Sequence, residues 1–142
     1  MRPFEESLPM ALLGAREAAM QLFRPLLSKH DLTEQQWRVL RALTATDEPF
    51  EVSRLAERTS LLAPSLTRIV ANLESRNLIT RTVAPHDQRR AIISLSPAGA
   101  TLVAAIGPAS EAQYARIEAS FGAERLNALL NELRALRDAL DH

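Results

Sequence analysis

Between Pro64 and Ser75 the chain sets out groups suited to hydrogen bonding with a polar or anionic partner at close range. Ser65, Thr67, Arg68 and Asn72 place hydroxyl, guanidinium and carboxamide groups along one short stretch. Leu66, Ile69, Val70 and Leu73 recur at i, i+3, i+4 and i+7, which predicts an amphipathic helix with one apolar face. Opposite that face lie Pro64, Arg68, Ala71 and Ser75, with Ser65, Thr67 and Asn72 on its shoulders. A helix that is merely solvated would carry Glu and Lys pairs. This one carries small residues, hydrogen-bonding groups and a single arginine, so it is cleared for close approach. Pro64 and Ser65, at the helix N-terminus, suit backbone contact with a phosphate. Further on, Asp87-Gln88-Arg89-Arg90 brings cationic groups to the tip of a hairpin-like segment. DNA is the first partner this combination suggests.

The elements that must hold these groups follow from periodicity and turn chemistry. Leu78–Val83 and Ala91–Leu95 have strand composition, with Ala84–Gln88 as the turn between them. Val52–Thr59 is a short helix with Val52, Leu55 and Ala56 facing inward. The link to Pro64, the expected first residue of the next helix, contains no glycine, which departs slightly from the usual helix-turn-helix pattern. Helix, turn, helix and basic hairpin make a winged helix-turn-helix, and Phe50–Val52 offers a third short strand. Thr33 and Gln36 form a capping box that starts a helix, and Trp37 reads as its core anchor. The first helix is expected over about Leu8 to Lys29, with Pro25 bending it or ending its regular part.

After Ser96-Pro97, an N-cap serine and a first-turn proline, a long helix should kink at Gly107-Pro108. A final helix carries Leu126, Leu129, Leu130, Leu133, Leu136 and Leu140. That leucine stripe exceeds what one terminal helix needs and points to a homodimer interface built from both ends of the chain. The expected fold is therefore mainly α with a small β wing. Residues 1–31 and 97–142 serve dimerisation, and residues 32–96 form the DNA-binding domain.

Composition narrows the function further. The 142 residues carry 17 basic and 17 acidic side chains, so the formal charge is zero. The distribution matters more than the total. Seven arginines against three acids give +4 between Val52 and Ser96, whereas the segments on either side are each −2. Arginine suits bidentate phosphate and guanine contacts. The chain has no cysteine, which excludes disulfides, thiol switches and thiolate metal sites and fits a reducing cytoplasm. His30, His86 and His142 have no metal-ligand spacing, so no metal or cofactor is expected, and no nucleophile sits in a catalytic setting. An enzyme is not expected. Neither a signal peptide nor a membrane span is expected from the apolar runs.

This order of parts resembles the MarR family of bacterial transcription regulators over nearly the whole chain. The matching stretches are LAERTSLLAPSLTRIVANLESRNLI (Leu55–Ile79) and DQRRAIISLSPAG (Asp87–Gly99), the latter similar to the family's Asp-x-Arg wing signature. LLGAREAAMQLFRPLL (Leu12–Leu27) and LTEQQWRVLRAL (Leu32–Leu43) resemble the branch governing homoprotocatechuate (4-hydroxyphenylacetate) degradation, which responds to an aromatic acid.

The resemblance implies a recognition helix in the major groove and a wing in an adjacent minor groove. Ser65, Thr67, Arg68 and Asn72 then face the major groove. Arg68 can donate to a guanine, and Asn72 can pair with adenine or serve a phosphate. Arg89 matches the minor-groove arginine of the wing, and Asp87 braces the wing through an arginine. Arg90, with Arg81 and Arg76, serves either phosphate or an intramolecular pair. Partners are a palindromic double-stranded operator, a second copy of the chain, and an aromatic carboxylate effector. The effector would lie between the DNA-binding lobe and the dimer helices, its acid paired with Arg16 and its ring against Met20 and Trp37. His30, Arg38 and Arg41 are further candidates. The competing reading is a winged-helix module for DNA or protein binding without an effector.

Overall fold

The computed structural model describes Met1–Asp141, with every side chain of that span except those of Ala84, Asp87, Gln88 and Arg89. A short 3-10 turn at Phe4–Glu6 precedes α1 (Leu8–Ser28). Then follow α2 (Glu34–Thr44), β1 (Phe50–Glu51), α3 (Val52–Thr59) and α4 (Ala63–Ser75). The chain ends with β2 (Ile79–Ala84), β3 (Asp87–Leu95), α5 (Pro97–Phe121) and α6 (Ala123–Leu140). Mainly helical with a three-stranded antiparallel wing is thus the observed class, with strand order β1-β3-β2.

The described residues divide into two compact units. One comprises residues 24–107, the other residues 1–23 with 108 onward. Among the described residues, all the buried apolar side chains belong to the 24–107 unit, including Leu27, Leu40, Leu55, Leu66, Leu73, Ile93 and Ile106. They come from α2, α3, α4, the sheet and the adjoining turns of α1 and α5, as their periodicity requires. In the other unit the described apolar residues include Leu8, Leu12, Leu13, Tyr114, Leu129, Leu130, Leu133 and Leu140, all exposed. Phe23 and Tyr114 of that unit pack ring to ring, centroids 5.3 Å apart and tilted by 58°, a favourable edge-inclined geometry.

Three helix ends share one device. After α1, the amide of Leu32 donates to the Leu27 carbonyl at 3.0 Å and that of Asp31 to Ser28 at 3.1 Å. Leu61 and Ser60 repeat the pattern after α3, and Leu78 and Asn77 repeat it after α4. This is the Schellman closure, which needs a left-handed residue. Asp31, Ser60 and Asn77 supply it with φ of 55°, 56° and 59°. The glycine missing from the helix-turn-helix link is therefore replaced by Ser60 in the conformation glycine would have taken.

Several boundaries differ from the sequence expectation. Helix α4 starts at Ala63 rather than Pro64, so Pro64 is its second residue; both positions tolerate a missing N–H. Val52 opens α3 instead of ending a strand. The wing turn is shorter than expected: only Pro85-His86 link the strands, and Ala84, Asp87 and Gln88 lie in β2 and β3. The register runs Ile79↔Leu95 to Val83↔Ala91, then jumps to Ala84↔Asp87. Such a bulge absorbs extra residues of one strand while keeping the inward alternation of the rest. Neither proline ends its helix. α1 continues past Pro25 to Ser28, and α5 continues past Pro108.

The wing is bolted to α5 through Ser96 and Gly99. Ser96 Oγ donates to the Asn77 carbonyl at 2.6 Å and accepts the Gly99 amide at 3.0 Å, the N-cap arrangement expected of it. Gly99 lies so close to the Leu78 carbonyl that a Cβ there would stand 2.1 Å from it.

Candidate nucleic-acid interface

The inward face of α4 is fixed by Leu66, Val70 and Leu73, all buried, with Ile69 half-buried. Their burial turns Pro64, Thr67, Arg68, Ala71, Asn72 and Ser75 outward, and all six are exposed. Ser65 is half-buried at the helix start. No side chain caps α4, so its leading amides remain directed outward for an external acceptor. The Thr67 hydroxyl donates to the Ala63 carbonyl at 2.9 Å and Ser75 to Asn72 at 2.7 Å. Both hydroxyls therefore face a partner as acceptors. Arg68 has no protein hydrogen bond or ion pair among the described residues, leaving its donors unspent.

Beside this face runs a groove of about 280 Å³ lined by Thr33, Gln35, Gln36, Ser65, Arg68, Ile69 and Asn72. The capping box of α2 borders it. The Thr33 amide donates to Gln36 Oε1 at 3.0 Å, and the Gln36 amide donates to Thr33 Oγ1 at 3.1 Å. Gln36 Nε2 then donates to Asn72 Oδ1 at 3.0 Å. In the sequence Thr33 and Gln36 mark a helix start only; their place beside α4 depends on how α2 packs on α4.

The wing arginines separate. Arg90 is exposed and ion-paired with Glu51 across β3 and β1, so the open choice between phosphate and an intramolecular pair is met, in the unbound chain, by Glu51. Arg81 is exposed on β2. The side chains of Asp87 and Arg89, the expected brace and minor-groove residue, lie outside the described ones. Arg76 is turned inward: its guanidinium donates to the Asp31 and His30 carbonyls at 2.9 and 3.2 Å. It caps the α1 end rather than facing a ligand. Arg54 and Arg58, counted in the +4 segment but not singled out, stand exposed on α3, with Arg54 over the Phe50 ring at 6.0 Å.

The residues expected to hold an effector fall in both units. Arg16 and Met20 belong to the unit of residues 1–23 and 108 onward, and His30, Trp37, Arg38 and Arg41 to the 24–107 unit. Arg16 is exposed and 3.6 Å from Glu17, and Met20 is half-buried. Trp37 is half-buried too, short of the core anchor its position suggests, because the deepest layer of α2 is Val39, Leu40 and Leu43. Arg38 is engaged elsewhere. It forks onto Glu34 at 2.7 and 3.1 Å and donates to the Thr59 carbonyl at 3.0 Å, tying α2 to the end of α3. Arg41 donates to Thr44 Oγ1 at 3.0 Å. Among the described residues no group of His, Asp or Glu is placed to hold a metal ion, and no helix is long and apolar enough to cross a membrane.

Comparison with known proteins agrees with this geometry. Residues 30–90 match the model of the MarR family. The chain is 43% identical over 128 residues to the homoprotocatechuate degradative operon repressor of Escherichia coli, covering 90% of this chain and 86% of that protein. Among solved structures, the transcriptional regulator PA4135 superposes with a TM-score of 0.90 at 42% identity, covering 96% of this chain and 98% of the other. NadR, solved with 4-hydroxyphenylacetate, superposes with a TM-score of 0.82 at 34% identity, covering 96% of each chain. With the helix-turn-helix, the wing and these relatives in agreement, the chain belongs to the MarR family of transcription regulators.

Proposed function

We propose that the protein is a dimeric repressor that binds a roughly palindromic operator and leaves it when a small aromatic acid binds. The observation that carries the DNA reading is the outward face of α4, where Arg68 keeps its donors unspent inside the +4 segment. Ser65, Thr67, Arg68 and Asn72 serve the major groove, Pro64 and the leading amides a phosphate, and Arg89 the minor groove with Asp87 as brace. Arg90 reaches phosphate by exchanging Glu51 for DNA. Residues 32–96 carry this work, and residues 1–31 and 97–142 carry dimerisation. The unburied apolar residues of the helical termini support the second copy. The site of action is the cytoplasm, where the operator is.

The effector is of the hydroxyphenylacetate or homoprotocatechuate type, a reading supported by the relative that governs homoprotocatechuate degradation and by NadR with its ligand. Arg16 pairs the acid, and Met20 and Trp37 cover the ring. His30 and Arg41 are secondary, and Arg38 contributes only by leaving Glu34. Release requires that the acid bind the DNA-free state more tightly than the DNA-bound one. The test is selection of bound duplexes from a random pool, followed by titration of the selected operator complex with 4-hydroxyphenylacetate and homoprotocatechuate. Enrichment of one palindrome and its release by either acid is expected. Enrichment without release, and no heat of binding in calorimetry, would leave a DNA-binding module with no such effector.

A further inference from the structure

The capping box at the start of α2 is continuous with the DNA-facing side chain of Asn72, and this fixes which way the Asn72 carboxamide points. The Thr33 amide is a backbone donor, so the Gln36 atom that accepts it at 3.0 Å must be Oε1. That assignment leaves Nε2 as the group facing α4, and a donor there requires an acceptor opposite, Asn72 Oδ1, at 3.0 Å. An amide has one accepting and one donating end. With Oδ1 held toward α2, Nδ2 is directed away from Gln36, and it has no partner among the described residues. Gln36 and Asn72 both line the groove that also holds Ser65 and Arg68, so the relay ends at the base-reading face.

We propose that Gln36 is a positioning residue for sequence specificity: it presents Asn72 to DNA as a hydrogen-bond donor. This rests on the reading of α4 as the recognition helix. A donor selects the acceptors of the major groove, namely purine N7, guanine O6 and thymine O4, over the amino groups of adenine and cytosine. It also disfavours the bidentate adenine contact, which needs both ends of the carboxamide turned to one base, because Oδ1 is held toward α2. Specificity at one position of each half-site is thereby set by a residue on α2 that touches no base.

Gln36→Glu tests this because a carboxylate keeps the capping box with Thr33 while removing the donor to Asn72. Two facing acceptors repel, so the Asn72 carboxamide turns over and Oδ1 becomes the exposed end. Duplexes selected from a random pool by the wild-type chain and by Gln36→Glu should then differ at one position per half-site. The change should run from guanine or thymine, which offer only acceptors in the major groove, to cytosine or adenine, which offer an amino group, with a discrimination on the order of ten- to a hundredfold. Unchanged thermal unfolding would accompany it. Asn72→Ala should flatten preference at that same position in either background. Identical selected sequences with weaker binding throughout would mean only an added negative charge and would overturn the inference while leaving the DNA-binding function standing. A wild-type chain that enriches no sequence would overturn both.

Discussion

Arg68 stands on the exposed side of α4, held there by the burial of Leu66 and Val70 on the opposite side. A guanidinium with no partner among the described residues to abandon gives its hydrogen bonding to a bound duplex. Arg68→Ala should weaken operator binding by about 1–3 kcal/mol and relax preference at one position of each half-site. Fluorescence anisotropy on operator and scrambled duplexes checks this, and equal losses on both would make Arg68 a phosphate contact instead. Arg38 and Arg76 show the contrary case. Their charge marked them as ligand or phosphate candidates, but Arg38 spends its donors on the Glu34 carboxylate and the Thr59 carbonyl and Arg76 on two backbone carbonyls. A helical arginine presents the same letter in both circumstances; only the proximity of a carbonyl dozens of residues away distinguishes them.

At the scale of elements, the turn between α3 and α4 decides where α4 begins. Ser60 closes α3 with φ of 56°, a conformation that costs a non-glycine residue roughly 1–2 kcal/mol. Ser60→Gly should relieve part of that strain and raise stability by roughly 0.5–1 kcal/mol, the gain reduced by the freer unfolded chain. For a chain of this size that is an increase in Tm of about 1–4 °C, readable by calorimetry. A decrease would mean that the turn does not need a left-handed residue. The reverse holds at Gly99, where a Cβ would meet the Leu78 carbonyl at 2.1 Å. The obstacle is backbone, so α5 or the start of β2 must move. Gly99→Ala should cost on the order of 1–3 kcal/mol in urea unfolding and weaken DNA binding by displacing the wing, whereas a neutral result would show that α5 slides freely on the sheet. The helices, the capping box and the strands were legible because each rests on local periodicity or a contiguous motif. The wing turn is three residues shorter than its sequence suggests because a bulge trades local turn chemistry for register with Ile92 and Ile93, which the sequence of the turn does not contain.

For the whole molecule, the division of burial is the informative fact. The 24–107 unit owns the buried apolar core, while the unit built from both termini leaves leucines uncovered on α1 and α6. Surface of that kind in a soluble chain is normally covered by a partner, and a twofold pair of identical copies is the commonest solution. Leu129→Lys combined with Leu133→Lys, two exposed positions one turn apart, should convert the dimer to monomer in sedimentation velocity. Operator affinity should fall with it, because one half-site then binds without its twin. Persistence of the dimer would place the interface elsewhere. The salt dependence of operator binding belongs to this scale as well. A chain of zero formal charge should still show a steep fall of affinity with salt, since counterion release depends on the phosphates contacted by the +4 segment and not on the total.

The sequence by itself determined the kind of protein. Apolar spacing set the helices, strand alternation and an arginine-rich segment set the wing, and the motifs in Leu55–Ile79 and Asp87–Gly99 set the family. These are local or additive properties, readable without coordinates. Only the tertiary structure decided what each polar side chain does with its hydrogen bonds. It assigned Arg38 to Thr59, Arg76 to the end of α1, Arg90 to Glu51 and Gln36 to Asn72. Those partners lie 21 to 46 residues apart in sequence. A donor finds its acceptor through packing, and packing is fixed by the whole core at once rather than by the residues on either side.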